Sequence, residues 1–247
     1  MARLNPKIKN KIISLVLKGK SLNYINNLTS VGKTTIYYYM RKLKGRKITL
    51  VKIDKRDNER IGEFMGLFAG DGNFYFDKKT YRWRLRITFN EKDSNLVEYY
   101  RNSITKLTSK KPHTYSASSV KILALDSKVL TLFILKYLTW FDKKTKNVTL
   151  RNKVLLKDEM FRRGFLRGLV DSDGYVRKGR KEIYYGSISY NLFKDFLRGL
   201  DLFDFKYKTY VQKREGCSDY YNVRFSGEEV DKFVKIIKPI KSVPARI

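Results

Sequence analysis

Two short stretches of the sequence place an aspartate where a divalent metal ion can be bound: "FMGLFAGDG", residues 64–72, and "LRGLVDSDG", residues 166–174. Each has the pattern of a helix end, and each closes on Asp-Gly, with Asp71 in the first and Asp173 in the second. A carboxylate at a helix C-terminus faces the negative end of the helix dipole, so positive charge must lie nearby. Carboxylate, backbone carbonyl and water oxygens suit Mg²⁺ or Mn²⁺. We therefore expect Asp71 and Asp173 to bind the metal ion through their carboxylates, and Gly70 and Ser172 to bind it through their backbone carbonyl oxygens.

Small residues recur every four positions in both helices, which predicts that the two helices pack on each other. They are Gly62, Gly66 and Gly70 in the first helix, and Gly164, Gly168 and Ser172 in the second. A spacing of four keeps them on one helical face. Glycine inside a helix costs about 1 kcal/mol relative to alanine, a cost that close backbone approach can offset. Such packing brings Asp71 next to Asp173. We expect the glycines that follow, Gly72 and Gly174, to adopt the left-handed conformation that ends many helices.

The composition indicates a folded, strongly basic protein with a polyanionic partner. The 247 residues include 54 Lys and Arg against 24 Asp and Glu, a formal net charge of +30. Nucleic acid is the first partner to expect, and an anionic membrane surface is the second. No uncharged apolar run is long enough to span a bilayer. The single cysteine, Cys217, excludes internal disulfides and multi-cysteine zinc sites, and the single histidine, His113, argues against histidine-based hydrolysis.

The chain from Glu59 onward repeats one pattern of elements. Helix, two strands, helix, two strands and helix occur once in residues 59–150 and again in residues 151–247. The repeat of about a hundred residues is longer than the 20 to 50 residues typical of solenoids. We therefore expect an α+β body, a duplicated αββαββα fold with pseudo-twofold symmetry.

Residues 1–45 have the pattern of a small helical module with a helix-turn-helix. A first helix starts near Asn5-Pro6, a second covers about Leu22–Leu28, and a third runs from about Lys33 to Leu43. No Asp or Glu precedes Asp54, so nothing in the module repels phosphate. We expect the third helix to contact DNA, through Lys33, Thr34, Thr35, Tyr38 and Arg41. The alternative is a three-helix packing module with a basic surface. Residues 46–58 are expected to be a linker, in extended or short-strand form.

Basic residues alternate with apolar ones in two predicted strands, one in each half. In "YRWRLRITF", Arg82, Arg84 and Arg86 share one face, and Tyr81, Trp83, Leu85, Ile87 and Phe89 share the other. The first face is purely positive within this strand. In "FKYKTYVQKRE", the alternating set is Lys206, Lys208, Gln212 and Arg214, with Tyr210 among them. Arg and Gln side chains on such faces can read guanine and adenine edges.

The two Asp-Gly stretches, their spacing and the αββαββα repeat resemble the LAGLIDADG homing endonucleases in their single-chain, two-motif form. The resemblance covers roughly residues 59–247. It implies that Asp71 and Asp173 are catalytic metal ligands and that the two sheets form a saddle over the DNA major groove. It also implies a catalytic lysine in each half, for which the candidates are Lys241 in the second half and Lys143, or its neighbour Lys144, in the first. The first motif departs from the family pattern at Ala69, where the second has Asp171, so Asp171 is expected to act as a capping or supporting residue.

These observations predict a monomeric, site-specific, divalent-metal-dependent endonuclease that cuts both strands of DNA, as in intron homing. Its expected location is DNA-associated, in a prokaryotic cytoplasm or an organelle matrix. Two alternatives stay open. One is an RNA-binding intron splicing factor, or maturase, of the same fold; the other is a transcriptional regulator that uses the helix-turn-helix with a non-catalytic body.

Overall fold

The computed structural model describes residues 4–44, 51–177, 181–213 and 215–242. The chain divides into two compact units, Met1–Leu50 and Val51–Ile247. Within the described ranges, no helix has both the length and the apolar character needed to cross a membrane.

The first unit contains three short helices around a small apolar core. The helices are α1 (Pro6–Leu17), α2 (Leu22–Thr29) and α3 (Lys33–Lys44). Asn5 and Ser21 accept hydrogen bonds from backbone N–H groups in the first turns of α1 and α2, as N-cap residues do. Ile12, Val16, Ile25 and Ile36 are fully buried, with at least one in each helix. The order and bounds agree with the helical module expected from the sequence.

The second unit contains the predicted repeat twice. The first half is α4 (Asn58–Asp71), β1 (Gly72–Asp77), β2 (Arg82–Asn90), α5 (Ser94–Thr108), β3 (His113–Ala117), β4 (Val120–Asp126) and α6 (Lys128–Tyr137). A connection follows, with β5 (Leu138–Thr139), α7 (Lys144–Asn147), β6 (Thr149–Leu150) and a 3-10 turn at Lys153–Lys157. The second half is α8 (Glu159–Asp173), β7 (Gly174–Arg177), β8 (Glu182–Ser187), α9 (Tyr190–Asp201), β9 (Lys208–Gln212), β10 (Tyr220–Ser226) and α10 (Glu228–Ile237). The predicted α+β class is confirmed.

Each half has one antiparallel four-stranded sheet, and the two sheets have the same topology. The strand orders are β1-β2-β4-β3 and β7-β8-β10-β9. In β2, Leu85, Ile87 and Phe89 are buried in the core while Arg82 is exposed, which is the alternation predicted for this strand. Each sheet therefore has one face packed in the core and one polar outer face.

Two local predictions differ from the structure. The sequence pattern places Tyr81 in the strand, but it has φ 52° and lies in the turn before β2, where it is 81% exposed. Residues 51–57 form no strand, although the Asp54 N–H donates to the Leu107 carbonyl oxygen at 2.8 Å. The rest of the predicted linker, residues 46–50, lies outside the described residues, and its last residue, Asn58, is the first of α4.

Candidate functional site

Helices α4 and α8 pack backbone against backbone, and glycines make this approach possible. A Cβ at Gly62 or Gly66 would overlap the carbonyl oxygen of Phe161 or Phe165 in α8. A Cβ at Gly164 or Gly168 would overlap the backbone of α4 in the same way. The surrounding residues of both helices are buried almost without a break. The four glycines predicted at the helix interface therefore lie in it, two from each helix.

The same packing brings the C-terminal ends of the two helices together. A Cβ at Gly70 would overlap the Ser172 side chain and lie 2.7 Å from Asp173 Oδ2. Asp71 is the next residue after Gly70 and, like Asp173, the last residue of its helix. The two predicted metal ligands are thus held side by side at the joined helix ends.

The glycines after the two aspartates are needed for space and not for a left-handed backbone. Gly72 has φ −83° and Gly174 has φ −88°, both extended, so the predicted left-handed ending is wrong. A Cβ at Gly72 would overlap the Phe68 ring, and one at Gly174 would clash with the Val170 backbone. Each chain turns from helix directly into a strand at this point, and only glycine fits against the preceding turn.

The two carboxylates have raised pKa values. Burial, followed by the negative charge of Asp173, raises the pKa of Asp71 to about 7, against the pull of Lys241 and Lys144. Burial also raises the pKa of Asp173, although Lys144 and Lys241 oppose the rise. Asp173 keeps solvent access on one side, yet the protein around it excludes enough water to disfavour its charge. The two lysines thus offset the effect of burial only in part, and a bound cation would add further positive charge.

The Lys144 side chain caps the C-terminal end of α4. Its Nζ donates to the carbonyl oxygens of Phe68, Ala69 and Gly70 at 2.9, 2.7 and 2.9 Å. These carbonyls belong to the last turn of the helix, where the dipole attracts a cation. Burial lowers the pKa of Lys144 to about 8, while Asp173 and Asp71 act in the opposite direction.

The Lys241 side chain caps the C-terminal end of α8 in the corresponding way. Its Nζ donates to the carbonyl oxygens of Ser172 at 2.8 Å and Gly174 at 3.1 Å. The structure thus places the predicted Lys241 at the site. In the first half it places Lys144 there and not Lys143, which is exposed and precedes α7 as its N-cap residue.

The donor set fits a hard divalent cation that completes its shell from solvent or substrate. The described ranges contain no group of three or more His, Cys, Asp and Glu that could enclose a metal ion. Mg²⁺ is often bound by one or two carboxylates together with waters and substrate phosphates, which suits Asp71 and Asp173. The predicted carbonyl ligands, at Gly70 and Ser172, each accept a hydrogen bond from a lysine, which leaves one lone pair on each oxygen.

Asp171 and Ala69, which occupy the same place in the two motifs, have different surroundings. Asp171 is 1% exposed and accepts hydrogen bonds from the Tyr100 hydroxyl and from the backbone N–H groups of Ile240 and Lys241. Burial raises its pKa to about 6, although the Lys241 N–H and the Tyr100 hydroxyl stabilise its charge. Ala69 is buried in the core. Only the second motif therefore carries a carboxylate that holds another segment of the chain.

The outer face of the first sheet carries the predicted arginines, but it is not purely positive. Arg84 forms an ion pair with Asp77 at 2.8 Å, and Arg86 and Arg82 lie 3.8 and 3.9 Å from the carboxylate of Asp126. The acids come from the neighbouring strands β1 and β4. The face of β2 itself is purely positive, as predicted, but its neighbours bring acids to the same side of the sheet. The Arg84 Nε also donates to Asp77 at 2.9 Å, so this pair fixes the direction of its guanidinium group.

The outer face of the second sheet has its basic residues at the edge. Lys208 and Gln212 lie in β9, whose residues are all exposed, and Lys206 is exposed just before the strand. Arg224 lies on β10 beside Lys208 and forms an ion pair with Glu182. Arg214, predicted as a DNA contact, lies outside the described residues.

In the helical module, the residues predicted to contact DNA share one side of α3. Thr34, Tyr38 and Arg41 are exposed at spacings of four and three, Lys33 is exposed at the helix start, and Thr35 is half-buried. The opposite side buries Ile36. Tyr37 is 53% exposed on the same side as Thr34 and Arg41, and the sequence reasoning missed it. Its spacing from Thr34 and Arg41, three and four residues, was the signal that could have found it.

Comparisons with known proteins agree with the fold. Residues 160–238 match the model of a LAGLIDADG-like domain. An uncharacterised protein of Methanocaldococcus jannaschii is 22% identical over 240 residues, which are 91% of this chain and 82% of the relative.

Solved structures are similar at low sequence identity. A crystal structure of the homing endonuclease I-DmoI in complex with DNA and Mn has a TM-score of 0.56 at 17% identity, over 77% of this chain and 100% of that one. The N-terminal LAGLIDADG domain of DUF199/WhiA has a TM-score of 0.50 at 16% identity, over 76% of this chain and 86% of that one. Residues 160–238 thus form a LAGLIDADG-like domain, and the second unit has the LAGLIDADG fold, with a motif helix, an αββαββα unit and a terminal aspartate in each half.

Proposed function

We propose that the protein is a divalent-metal-dependent DNA endonuclease that cuts both strands of a specific site, and that it acts as a monomer. The observation that carries the proposal is the pair of carboxylates, Asp71 and Asp173, held side by side by glycine-mediated helix packing with a lysine at each helix end. A regulator that only binds DNA has no need of two converging acids with raised pKa values. One chain supplies both, so a second copy is not required.

Each residue of the site has a distinct role in this proposal. Asp71 and Asp173 would hold the divalent ions, whose chemistry at this place would be to lower the pKa of a bound water and to offset charge on the departing oxygen of a phosphodiester. Lys144 and Lys241 hold positive charge at the helix ends, where it offsets the negative charge that develops on the phosphate.

Three basic surfaces are proposed to bind the DNA. They are the outer faces of the two sheets and the exposed side of α3. Arg84, held by Asp77, is oriented for base edges, whereas the exposed lysines at β9 suit phosphates. The helical module adds contacts beyond the body and takes no part in the chemistry. I-DmoI, whose structure is similar, was crystallised with DNA and Mn, which agrees with this assignment of partner and metal.

A cleavage selection tests the proposal and identifies the target site in the same experiment. The full chain is incubated with Mg²⁺ and a plasmid library of fragments from the source genome together with random inserts, and the newly formed ends are sequenced. We expect ends at one site, with fixed offsets on the two strands, and none in EDTA. The control is the variant that carries both Asp71→Asn and Asp173→Asn, which should give no ends.

Two results would contradict the proposal. The first is retention of the library DNA without any metal-dependent ends, which would indicate a regulator. The second is retention of a structured intron RNA in preference to duplex DNA, again without cleavage, which would indicate a splicing factor. Ends that persist in the double Asn variant would indicate a contaminating nuclease.

A further inference from the structure

The two lysines at the site come from segments outside the motif helices, so other residues must hold those segments in place. Lys144 is the first residue of α7, a helix of four residues in the connection between the halves. Lys241 lies in a short 3-10 turn, Ile240–Ser242, after the last helix. A long lysine side chain on a short loop has many accessible positions, and fixing it costs conformational entropy. Two buried carboxylates supply the restraint.

Asp171 fixes the backbone of the 3-10 turn that carries Lys241 through hydrogen bonds. Its Oδ1 accepts from the Lys241 backbone N–H at 3.1 Å, and its Oδ2 accepts from the Ile240 N–H at 3.1 Å. The Tyr100 hydroxyl donates to Oδ2 at 2.8 Å, and Tyr100 is itself 1% exposed on α5. Both carboxylate oxygens are therefore committed, and the carboxylate fixes the backbone from which the Lys241 side chain extends to α8.

Asp195 fixes the chain directly after α7, the short helix that carries Lys144. It is fully buried on α9, and its Oδ2 accepts from the Leu150 backbone N–H at 2.8 Å and from the Thr149 hydroxyl at 2.6 Å. Lys153 Nζ lies 2.7 Å from the other oxygen. The Ser189 hydroxyl, at the start of α9, donates to the Val148 carbonyl oxygen at 2.7 Å. These contacts fix residues 148–153, directly after the helix that carries Lys144.

The carboxylates that hold the two lysine segments come from different elements of the fold. The second motif carries its own anchoring acid, Asp171, two residues before Asp173. The first motif has Ala69 in that place, and the anchor for its lysine comes from α9 of the other half. With no acid at residue 69, the first lysine depends on a carboxylate from the second half.

We propose that Asp171 and Asp195 are positioning residues, each of which places one lysine of the site: Asp171 places Lys241, and Asp195 places Lys144. The role in cleavage rests on the proposed endonuclease function; the anchoring itself does not. At residue 171, asparagine offers one acceptor oxygen where two accept backbone N–H groups, so its NH2 faces a backbone donor. At residue 195 a single oxygen, Oδ2, accepts from both Leu150 and Thr149, so alanine is the substitution that removes the anchor.

Hydrogen exchange measured by mass spectrometry tests the anchoring in the full chain, without DNA. Asp171→Asn should speed exchange in residues 238–242 by about tenfold or more, because amide exchange follows local opening, and should leave residues 148–153 unchanged. Asp195→Ala should do the reverse. If Asp171→Asn does not fold, Asp171→Ala, which copies the first motif, takes its place. Faster exchange in both segments in one variant, or in neither, would overturn the proposal.

Crossed double variants test the link to cleavage. Asp171→Asn should slow single-turnover cleavage by about 10- to 100-fold in the parent, but by less than about 3-fold when Lys241 is already methionine, because residues that act through one another are not additive. In the Lys144→Met background, Asp171→Asn should still slow cleavage by about 10- to 100-fold. If Asp171→Asn slows cleavage by the same factor in the Lys241→Met and the Lys144→Met backgrounds, the role of Asp171 is merely structural and the proposal is overturned. If the parent cuts no DNA, the endonuclease assignment fails, and the exchange result still decides the anchoring.

Discussion

Replacing Asp71 with asparagine should stabilise the metal-free protein at alkaline pH while removing a proposed metal ligand. Asp71 is surrounded by protein and lies next to Asp173, and both effects raise its pKa to about 7 from the ordinary value of 3.8. The folded state therefore binds a proton on Asp71 between about pH 4 and pH 7, whereas the unfolded state does not. Stability must then fall as the pH rises through this range. Asparagine has the same shape without the charge, so the variant should not show this fall.

The size of the effect follows from the difference between the two pKa values. A difference of about 3 pH units, at 1.36 kcal/mol per unit, corresponds to about 4 kcal/mol above pH 7. Because Asp71 keeps some solvent access, we expect about 2 to 4 kcal/mol. Asp71→Asn and the parent should have similar free energies of unfolding at pH 4, and should differ by this amount at pH 8 in EDTA.

Urea unfolding monitored by tryptophan fluorescence is a suitable assay, since Trp83 and Trp140 both lie in the second unit with Asp71. Asp77→Asn is the matched control with the opposite sign. Hydrogen bonds from the Thr80 side chain and from the Thr80 and Lys79 backbone N–H groups lower the pKa of Asp77. Neutralising it should therefore destabilise the protein at pH 8. An Asp71→Asn variant that is no more stable than the parent at pH 8 would refute the reasoning.

Three further predictions concern packing and DNA binding. Gly168→Ala puts a methyl group into the α4 backbone and should cost about 1 to 3 kcal/mol of stability, whereas Gly32→Ala, in open space, should cost little. Calorimetry on the two variants decides this, and equal melting temperatures would contradict it. The slope of log affinity against log salt should be about −0.9 per phosphate contacted, so a flat salt titration would contradict dominant phosphate binding. Deleting residues 1–45 should shorten the nuclease-protection footprint while Mg²⁺-dependent cleavage persists at high protein concentration; an unchanged footprint would make the module purely structural.

Most of the fold could be predicted because local periodicity reflects burial. Glycines every four residues mark the two helices that meet, and the apolar alternation at Leu85, Ile87 and Phe89 marks the inner face of a sheet. These patterns depend on residues close in sequence. The left-handed ending expected at Gly72 and Gly174 failed because the reason for glycine is steric contact with the preceding helical turn.

Features that depend on contacts between distant segments could not be predicted. Which of two adjacent lysines meets the end of α4 depends on the path of the connection, and that path is fixed partly by Asp195, about fifty residues further on. The acids that pair with Arg84 and Arg86 come from neighbouring strands, so β2 alone gives no sign of them. The sequence indicates Asp171 as a supporting residue, but its partners in the C-terminal segment are visible only in the structure.

The most direct measurement of the central claim is strand-resolved cleavage of a supercoiled plasmid that carries the selected site, by Asp71→Asn and Asp173→Asn separately. Removing a negative charge near phosphate should leave DNA binding equal to or tighter than that of the parent. An amide is a weak Mg²⁺ ligand, so linearisation should collapse in both variants. Open circles from each variant would mean that each carboxylate serves one strand, and intact supercoils would mean that the two share their metal.

Both of these outcomes support catalysis by the paired carboxylates. If the paired carboxylates hold the catalytic metal, neither variant, bound to the plasmid at saturating Mg²⁺, should produce linear DNA at more than about 1% of the parent rate, in keeping with the loss of a charge-stabilising group. Linearisation at the parent rate by either variant would contradict the account, because that carboxylate would then take no part in cutting either strand.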